Sequence, residues 1–156
     1  MDEQKRIVNV FLDHRTVVRR NTEIDHDRAV AIFDLLEENF FDLADGPEGP
    51  YNLHLSVEEN RLLFKVCDEA DYLVKDFSLP ISNFRSIVKD YFVVCDSYYD
   101  AIKTATPSRI EAIDMGRRGL HNEGSQLLKD ILGPHVKIDF DTARRLFTLI
   151  CALHQR

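Results

Sequence analysis

Apolar residues recur along this chain with two different periods, and each change of period marks a new zone. Residues 7–13 open with a short apolar run that reads as a strand. After a polar approach from Asn21 to Asp27, Ala29, Ile32, Phe33, Leu36 and Phe40 return every three or four residues. That spacing predicts a helix from about Asp25 to Phe40, with this set as its buried face and Asp25 as its N-cap. Asp45-Gly46-Pro47-Glu48-Gly49-Pro50 then breaks the chain with a loop too short for an interdomain linker.

The period next drops to two. Tyr51, Leu53, Leu55 and Val57 alternate with Asn52, His54 and Ser56. Leu62, Phe64 and Val66 alternate likewise after the turn Glu58-Glu59-Asn60-Arg61, and a third run spans Tyr72 to Phe77. Strands joined by turns this short predict an antiparallel meander with one buried face. From Ile81 the helical period resumes, as Phe84, Ile87, Val88, Tyr91, Val94, Cys95, Tyr98 and Ile102 line one long stripe. A helix that apolar is expected to be the core helix, lying across the sheet. Pro107 restarts the chain in a first helical turn, Ser108-Arg109-Ile110-Glu111 reads as a capping box, and Gly133-Pro134 ends that helix. Val136, Ile138 and Phe140 mark a short strand. Asp141 then caps a last helix carrying Ala143, Leu146, Phe147, Ile150 and Leu153.

These elements predict an α+β fold: a small antiparallel sheet, made of the three-stranded meander plus the N-terminal strand, packed by about four helices. The C-terminal half is mainly helical. At 156 residues the chain has the length of a single domain, with a helix-plus-sheet half at 7–79 and a helical half at 80–156.

Composition narrows the class. The N-terminus, Met1 to Arg6, is polar, so no secretory leader is expected, and the lipophilic run Leu146 to Leu153 falls far short of a membrane span. Cys67, Cys95 and Cys151 are odd in number, far apart and never a Cys-x-x-Cys pair, so a disulfide framework and a zinc ribbon are both disfavoured. A cytoplasmic protein with buried free thiols is expected. Net charge is −7, unevenly spread: residues 107–156 hold 8 Lys+Arg against 6 Asp+Glu, which leaves 12 against 21 for residues 1–106 from totals of 20 and 27. Such a balance argues against duplex nucleic acid and leaves only the C-terminal third attractive to an anion.

That third holds the one unusual mixture. Arg109 to Ser125 combines arginines, a histidine, an asparagine and glycines inside a helical pattern. Asp114, Arg118, His121 and Ser125 share a face at steps of four, three and four, flanked by Arg117 and Asn122. Arginine forks suit a phosphate or carboxylate, Asp114 could orient a guanidinium, and His121 could titrate near neutral pH. The plainer reading is a polar face on which Asp114 pairs with Arg118. Gly116, Gly119 and Gly124 weigh against it, since each costs about 1 kcal/mol relative to Ala in a helix interior and so implies close approach, a kink or a cradle. Arg144 and Arg145 stand in the first turn of the last helix, where the dipole disfavours cations. They need a partner, such as Asp139, Asp141 or a ligand, and could converge on Arg117 and Arg118 if the two helices pack together. Neither His121-Asn122-Glu123 nor Asp25-His26-Asp27 has the spacing of a metal set, so no metal and no cofactor are expected. The tyrosines Tyr91, Tyr98 and Tyr99 read as core packing.

Ile87-Val88-Lys89-Asp90-Tyr91-Phe92, Ser97-Tyr98-Tyr99, Ile110 to Gln126 and Asp139 to His154 resemble a bacterial uncharacterised protein family (UPF), number two-six-two, from about Ala29 onward. The resemblance implies a cytoplasmic bacterial protein and brings no activity, cofactor or catalytic residue. The reading that follows is a non-enzymatic binding or regulatory module for an anionic small molecule or a protein partner, compatible with a homo-oligomer. Its ligand-binding candidates are Asp114, Arg117, Arg118, His121, Asn122, Ser125, Arg144 and Arg145. The alternative is a small enzyme acting on a phosphate- or carboxylate-bearing substrate, with His121 as its acid or base.

Overall fold

A computed structural model describes residues 2–13 and 22–154; Asn21, at the head of the polar approach, lies outside them. The main sheet holds β1 (Ile7–Leu12), β3 (Tyr51–Glu58), β4 (Arg61–Cys67) and β5 (Leu73–Pro80), in the order β1-β3-β4-β5. Between them in sequence lie α1 (Thr22–Glu37) and the short β2 (Phe41–Leu43). After the sheet come α2 (Ser82–Thr104), α3 (Pro107–Leu132), β6 (Val136–Ile138) and α4 (Phe140–Leu153). The architecture is α+β, with helices filling the C-terminal half.

The meander is antiparallel throughout, with Leu53 opposite Val66, Leu55 opposite Phe64, and Phe64 opposite Phe77. Its first turn has two central residues, Glu59 and Asn60, at φ 51° and 62°. Positive φ at both positions matches the right-handed twist of the flanking strands. The N-terminal strand differs from expectation: β1 pairs with β3 in parallel, so the sheet is mixed. Parallel neighbours need a long crossover, and α1 supplies it. The second sheet, β2 with β6, joins Phe41 to Ile138 and Leu43 to Val136. Its three-residue strands are too short for a period to show.

Three helix boundaries move. Helix α1 begins at Thr22, ahead of Asp25, and its buried residues are Ala31 and Leu35, with Ile32 and Leu36 partly buried. Phe33 is 66% exposed and Phe40 lies beyond the helix end, so only part of the expected stripe faces inward. The N-cap of α3 is Thr106, whose hydroxyl accepts from the Arg109 amide at 3.4 Å, and Pro107 occupies the first turn. A capping box at Ser108 is therefore displaced by two residues. Asp139, and not Asp141, caps α4, accepting from the Thr142 amide at 2.8 Å.

The core helix is also a different one. Helix α2 buries Phe84, Val88, Tyr91 and Cys95 along one face, while Val93 and Ile102 are more than half or half exposed. Helix α4 is the central element, packed against α1 and α3 and buried at nine of fourteen positions. A helix apolar on nearly every side belongs inside, whereas a long one-sided stripe belongs at the boundary. All five α4 residues expected inside, Ala143, Leu146, Phe147, Ile150 and Leu153, are buried.

The C-terminal end of α1 has no basic residue in its own last turn. Its carbonyls are met from elsewhere: Arg6 donates to Leu36 O at 2.8 Å, and Arg145 to Glu38 O at 3.0 Å. Asn39 donates to Leu35 O and Ile7 O and accepts from the Ile7 amide, while the Phe40 amide donates to the fully buried Thr142 hydroxyl. Unmet carbonyls at a helix end cost free energy, and cations there also suit the dipole. One helix end thus ties β1, α1 and α4 together.

The glycines of α3 divide into two kinds. A Cβ at Gly116 or Gly119 would meet open space, but one at Gly124 would overlap the Phe147 ring. Gly124→Ala is expected to lower stability by about 1–3 kcal/mol through overpacking. Gly119→Ala should instead raise it by up to about 1 kcal/mol, from helix propensity alone. Urea denaturation of the two variants checks the opposite signs, and a stabilised Gly124→Ala would refute the contact.

Candidate functional site

Close packing of α3 on α4 decides what lies around His121. With no side chain at Gly124, the Phe147 ring sits on the α3 backbone, and the imidazole of His121 meets Phe147 and Tyr91 edge-on, with centroids 5.2 Å and 5.3 Å apart. Its Nε2 lies 2.8 Å from Thr148 Oγ1, and Thr148 in turn donates to Arg144 O at 3.2 Å. A hydroxyl has one proton, so Thr148 accepts and His121 carries its hydrogen on Nε2. Burial, reinforced by the charges of Arg144 and Arg117, pushes the His121 pKa down to about 4. The imidazole is therefore neutral at ordinary pH. Ser125 is fully buried and donates to His121 O at 2.7 Å, so its hydroxyl serves the helix backbone. Asn122 is exposed to solvent, away from this cluster.

Asp114 does more than pair with Arg118. Its Oδ1 receives both Nε and Nη2 of Arg117, at 3.1 Å and 2.6 Å, while its Oδ2 lies 3.1 Å from Arg118 Nε. The Arg117 hydrogen bond is the main cause holding the Asp114 carboxyl below the usual carboxylate range. The Arg117 guanidinium also stacks 4.5 Å from the Tyr98 ring centroid, which fixes its plane. Two arginines are thus aimed by one carboxylate and one aromatic ring.

These side chains open onto a cavity of about 420 Å³ where the four helices meet. Helix α3 contributes Arg117, Arg118 and His121, and α4 contributes Arg144, Arg145 and Thr148. Helix α1 adds His26, Asp27 and Asp34, and Tyr91 comes from α2. The arginines of α3 and α4, 27 residues apart between Arg117 and Arg144, therefore share one lining, four guanidiniums against two aspartates. Their other commitments differ. Arg145 is held by Glu38 O, while Arg144 has, among the described residues, a loose pairing with Asp141 at 3.9 Å. Ser125 and Asn122 are not among the lining side chains, and Asp114 acts from behind the arginines. Burial raises the Asp27 pKa, against the lowering effects of Arg117 and of the Tyr99 hydroxyl, which donates to Asp27 at 3.4 Å. His26 and Asp27 read as helix-start residues in the sequence; with α1 beginning at Thr22, they stand further along it and face the cavity.

A second cavity of about 800 Å³ adjoins the first through Asp27, Tyr91 and Thr148. Its walls are more apolar, with Val88, Phe92, Cys95 and Cys151 among them. Cys95 is pushed up to about 11 and Cys151 well above the ordinary thiol value, chiefly by burial, so neither is a nucleophile as it stands. All three cysteines are free and buried.

A profile described as "Uncharacterised protein family (UPF0262)" matches residues 4–156, well beyond the start expected at Ala29. The chain belongs to UPF0262. The UPF0262 protein of Paramagnetospirillum magneticum is 53% identical over 156 residues, covering 100% of this chain and 99% of its own. That of Rhizobium meliloti is 54% identical over 155 residues, 99% and 98% of the two chains, and that of Rhodospirillum rubrum 56% over 150, 96% and 92%. No solved structure matches significantly. UPF0262 is thus a bacterial family named for its lack of an established function, and its name assigns no role to the cavity.

One cluster in this UPF0262 chain escaped the sequence altogether. On the sheet face opposite Leu53, Leu55, Phe64 and Val66, His54 Nε2 lies 2.8 Å from Asp71 Oδ1, and Cys67 stands beside them. Only the β3–β4 register, which sets Asn52 opposite Cys67 and His54 opposite Lys65, brings these residues to one face. Alternation sets His54 only among the polar residues between the apolar positions of β3.

The neutral His121 gives a pH signature. Its pKa is about 4 in the fold against an ordinary 6.5. The unfolded chain therefore binds the extra proton first as pH falls. Its contribution is fully present above pH 6.5 and is lost as pH drops toward 4, with about 3 kcal/mol at stake. His121→Phe, which keeps the aromatic packing, should flatten the pH dependence of the urea midpoint across that window. An unchanged slope would assign the effect to other groups.

Proposed function

We propose that this chain is a small cytoplasmic binding module whose ligand is an anionic small molecule, seated between the guanidiniums of α3 and α4. The observation carrying this reading is the shared lining of Arg117, Arg118, Arg144 and Arg145 around a cavity of about 420 Å³. A concave site of that size suits a metabolite carrying phosphate or carboxylate groups better than a flat protein surface does. Arginine forks provide bidentate recognition of such groups. Asp27 and Asp34 limit the excess positive charge, favouring a ligand with a polar, hydrogen-donating part beside its anionic one.

Binding is preferred to catalysis because of His121. An acid must hold a proton near working pH and a base must have affinity for one, and a pKa near 4 serves both poorly. Its Nε2 hydrogen is also engaged by Thr148. In this reading His121 is a rigid, neutral part of the wall that keeps Thr148 oriented. No helix among the described residues is long and apolar enough to cross a membrane. The buried free thiols agree with a reducing compartment.

Arg118 and Arg144, with side chains 60% and 47% exposed, can be changed with less structural cost than Arg117 or Arg145. Calorimetric titration with inorganic pyrophosphate, citrate and a nucleoside diphosphate should find at least one that binds and weakens with added salt. Arg118→Gln and Arg144→Gln should each reduce its affinity about 10-fold or more, as expected for a lost charge-assisted hydrogen bond. Binding that is absent for all three anions, or equally strong in both variants, overturns the proposal.

A further inference from the structure

We infer that His54, Cys67 and Asp71 form a binding site for a divalent transition-metal ion, with zinc the ion that suits the donors best. The three residues come from β3, from the end of β4 and from the turn before β5, and one ligand atom of each lies within 4.8 Å of the others. Nitrogen, sulfur and carboxylate oxygen together match zinc's borderline softness, and disfavour magnesium and calcium, which take oxygen. Three protein donors leave a fourth position, open on the exposed Asp71 side.

The surroundings hold the donors in place. Asn52 donates to Asp71 Oδ1 at 3.3 Å, and Asn9 donates to Asn52 Oδ1 at 2.9 Å, so a relay from β1 orients the carboxylate. Phe11 stacks on the His54 ring with centroids 4.7 Å apart. Asp71 stands at φ 69°, a left-handed conformation that an L-residue adopts at a cost. The turn that imposes it is built by Asp68, whose Oδ1 accepts from the Ala70 and Tyr72 amides at 3.0 Å. Lys65, opposite His54, and Asp68 are charged neighbours of opposite sign. Asn52 is only 5% exposed although polar, as the middle link of such a relay would be. On binding, the Cys67 thiol gives up its proton to solvent and forms the metal–sulfur bond. Coordination through Nε2 takes the neutral form of the imidazole, with its single proton on Nδ1.

Untagged full-length protein, freed of metal by chelator, tests this with zinc alone and with cobalt alone. Zinc should bind one per chain and release one proton, read by calorimetry in buffers of different ionisation enthalpy. Cobalt should give visible bands of tetrahedral intensity and a thiolate charge-transfer band in the near ultraviolet. Cys67→Ser should abolish the charge-transfer band, while Cys95→Ser leaves it intact. Asn52→Ala should weaken zinc about 10-fold through loss of the relay. Substoichiometric zinc binding, a cobalt spectrum without a thiolate band, or a band that survives Cys67→Ser would each overturn the assignment. Should Cys67→Ser fold poorly, the wild-type cobalt spectrum and proton count decide alone.

Discussion

The contact between Gly124 and the Phe147 ring is the constraint on which the helical half depends. It lets α4 lie against the backbone of α3, and this approach brings His121 within reach of Thr148 and sets the Arg117–Arg118 pair of one helix beside the Arg144–Arg145 pair of the other. A Cβ at position 124 would overlap the Phe147 ring, so the ring could not keep this seat. Of the close approach, kink or cradle that the glycine implied, close approach is what position 124 provides: a seat for an aromatic ring, with the cavity as its indirect product.

Four arginines line that cavity, but they stand there for different reasons. Arg117 is fixed by Asp114 and Tyr98, and Arg145 by a carbonyl at the end of α1. These two serve the fold and still present positive charge to the interior of the cleft. Arg118 and Arg144 have weaker attachments and more solvent. The arrangement supplies fixed charge and adjustable charge at the same surface, a division that suits recognition without large rearrangement.

Much of this was legible in the sequence because local periods report one-sided burial faithfully. The meander, the long α2 and α3 helices and the inward set of α4 follow from spacing alone. What escaped depended on contacts between distant segments. The parallel pairing of β1 is set by the α1 crossover, the three-residue strands β2 and β6 find each other across most of the chain, and α1 turns Phe33 outward because its neighbours take Ala31 and Leu35 instead. In the site, helical spacing placed Asp114, Arg118 and His121 on one face. It could not show that Ser125 is fully buried, or that α1 supplies His26, Asp27 and Asp34. The His54, Cys67 and Asp71 group was invisible for the same reason: strand register, and not sequence distance, makes them neighbours.

The stitching of the α1 end has a consequence for how the fold is reached. The Phe40 amide meets Thr142 across 102 positions and Arg145 meets Glu38 across 107. Those bonds hold the end of the crossover helix to the central helix, and Asn39 ties the same end to Ile7 of the first strand, so none of these parts is complete by itself. Chain entropy must be given up over most of the polypeptide before this junction yields any return. The hairpin of β3 and β4 can form from nearby residues, but the core around α4 closes only when both ends of the molecule have met. Folding to the native state is therefore governed by a distant encounter, with a rate set by topology more than by the strength of any single helix.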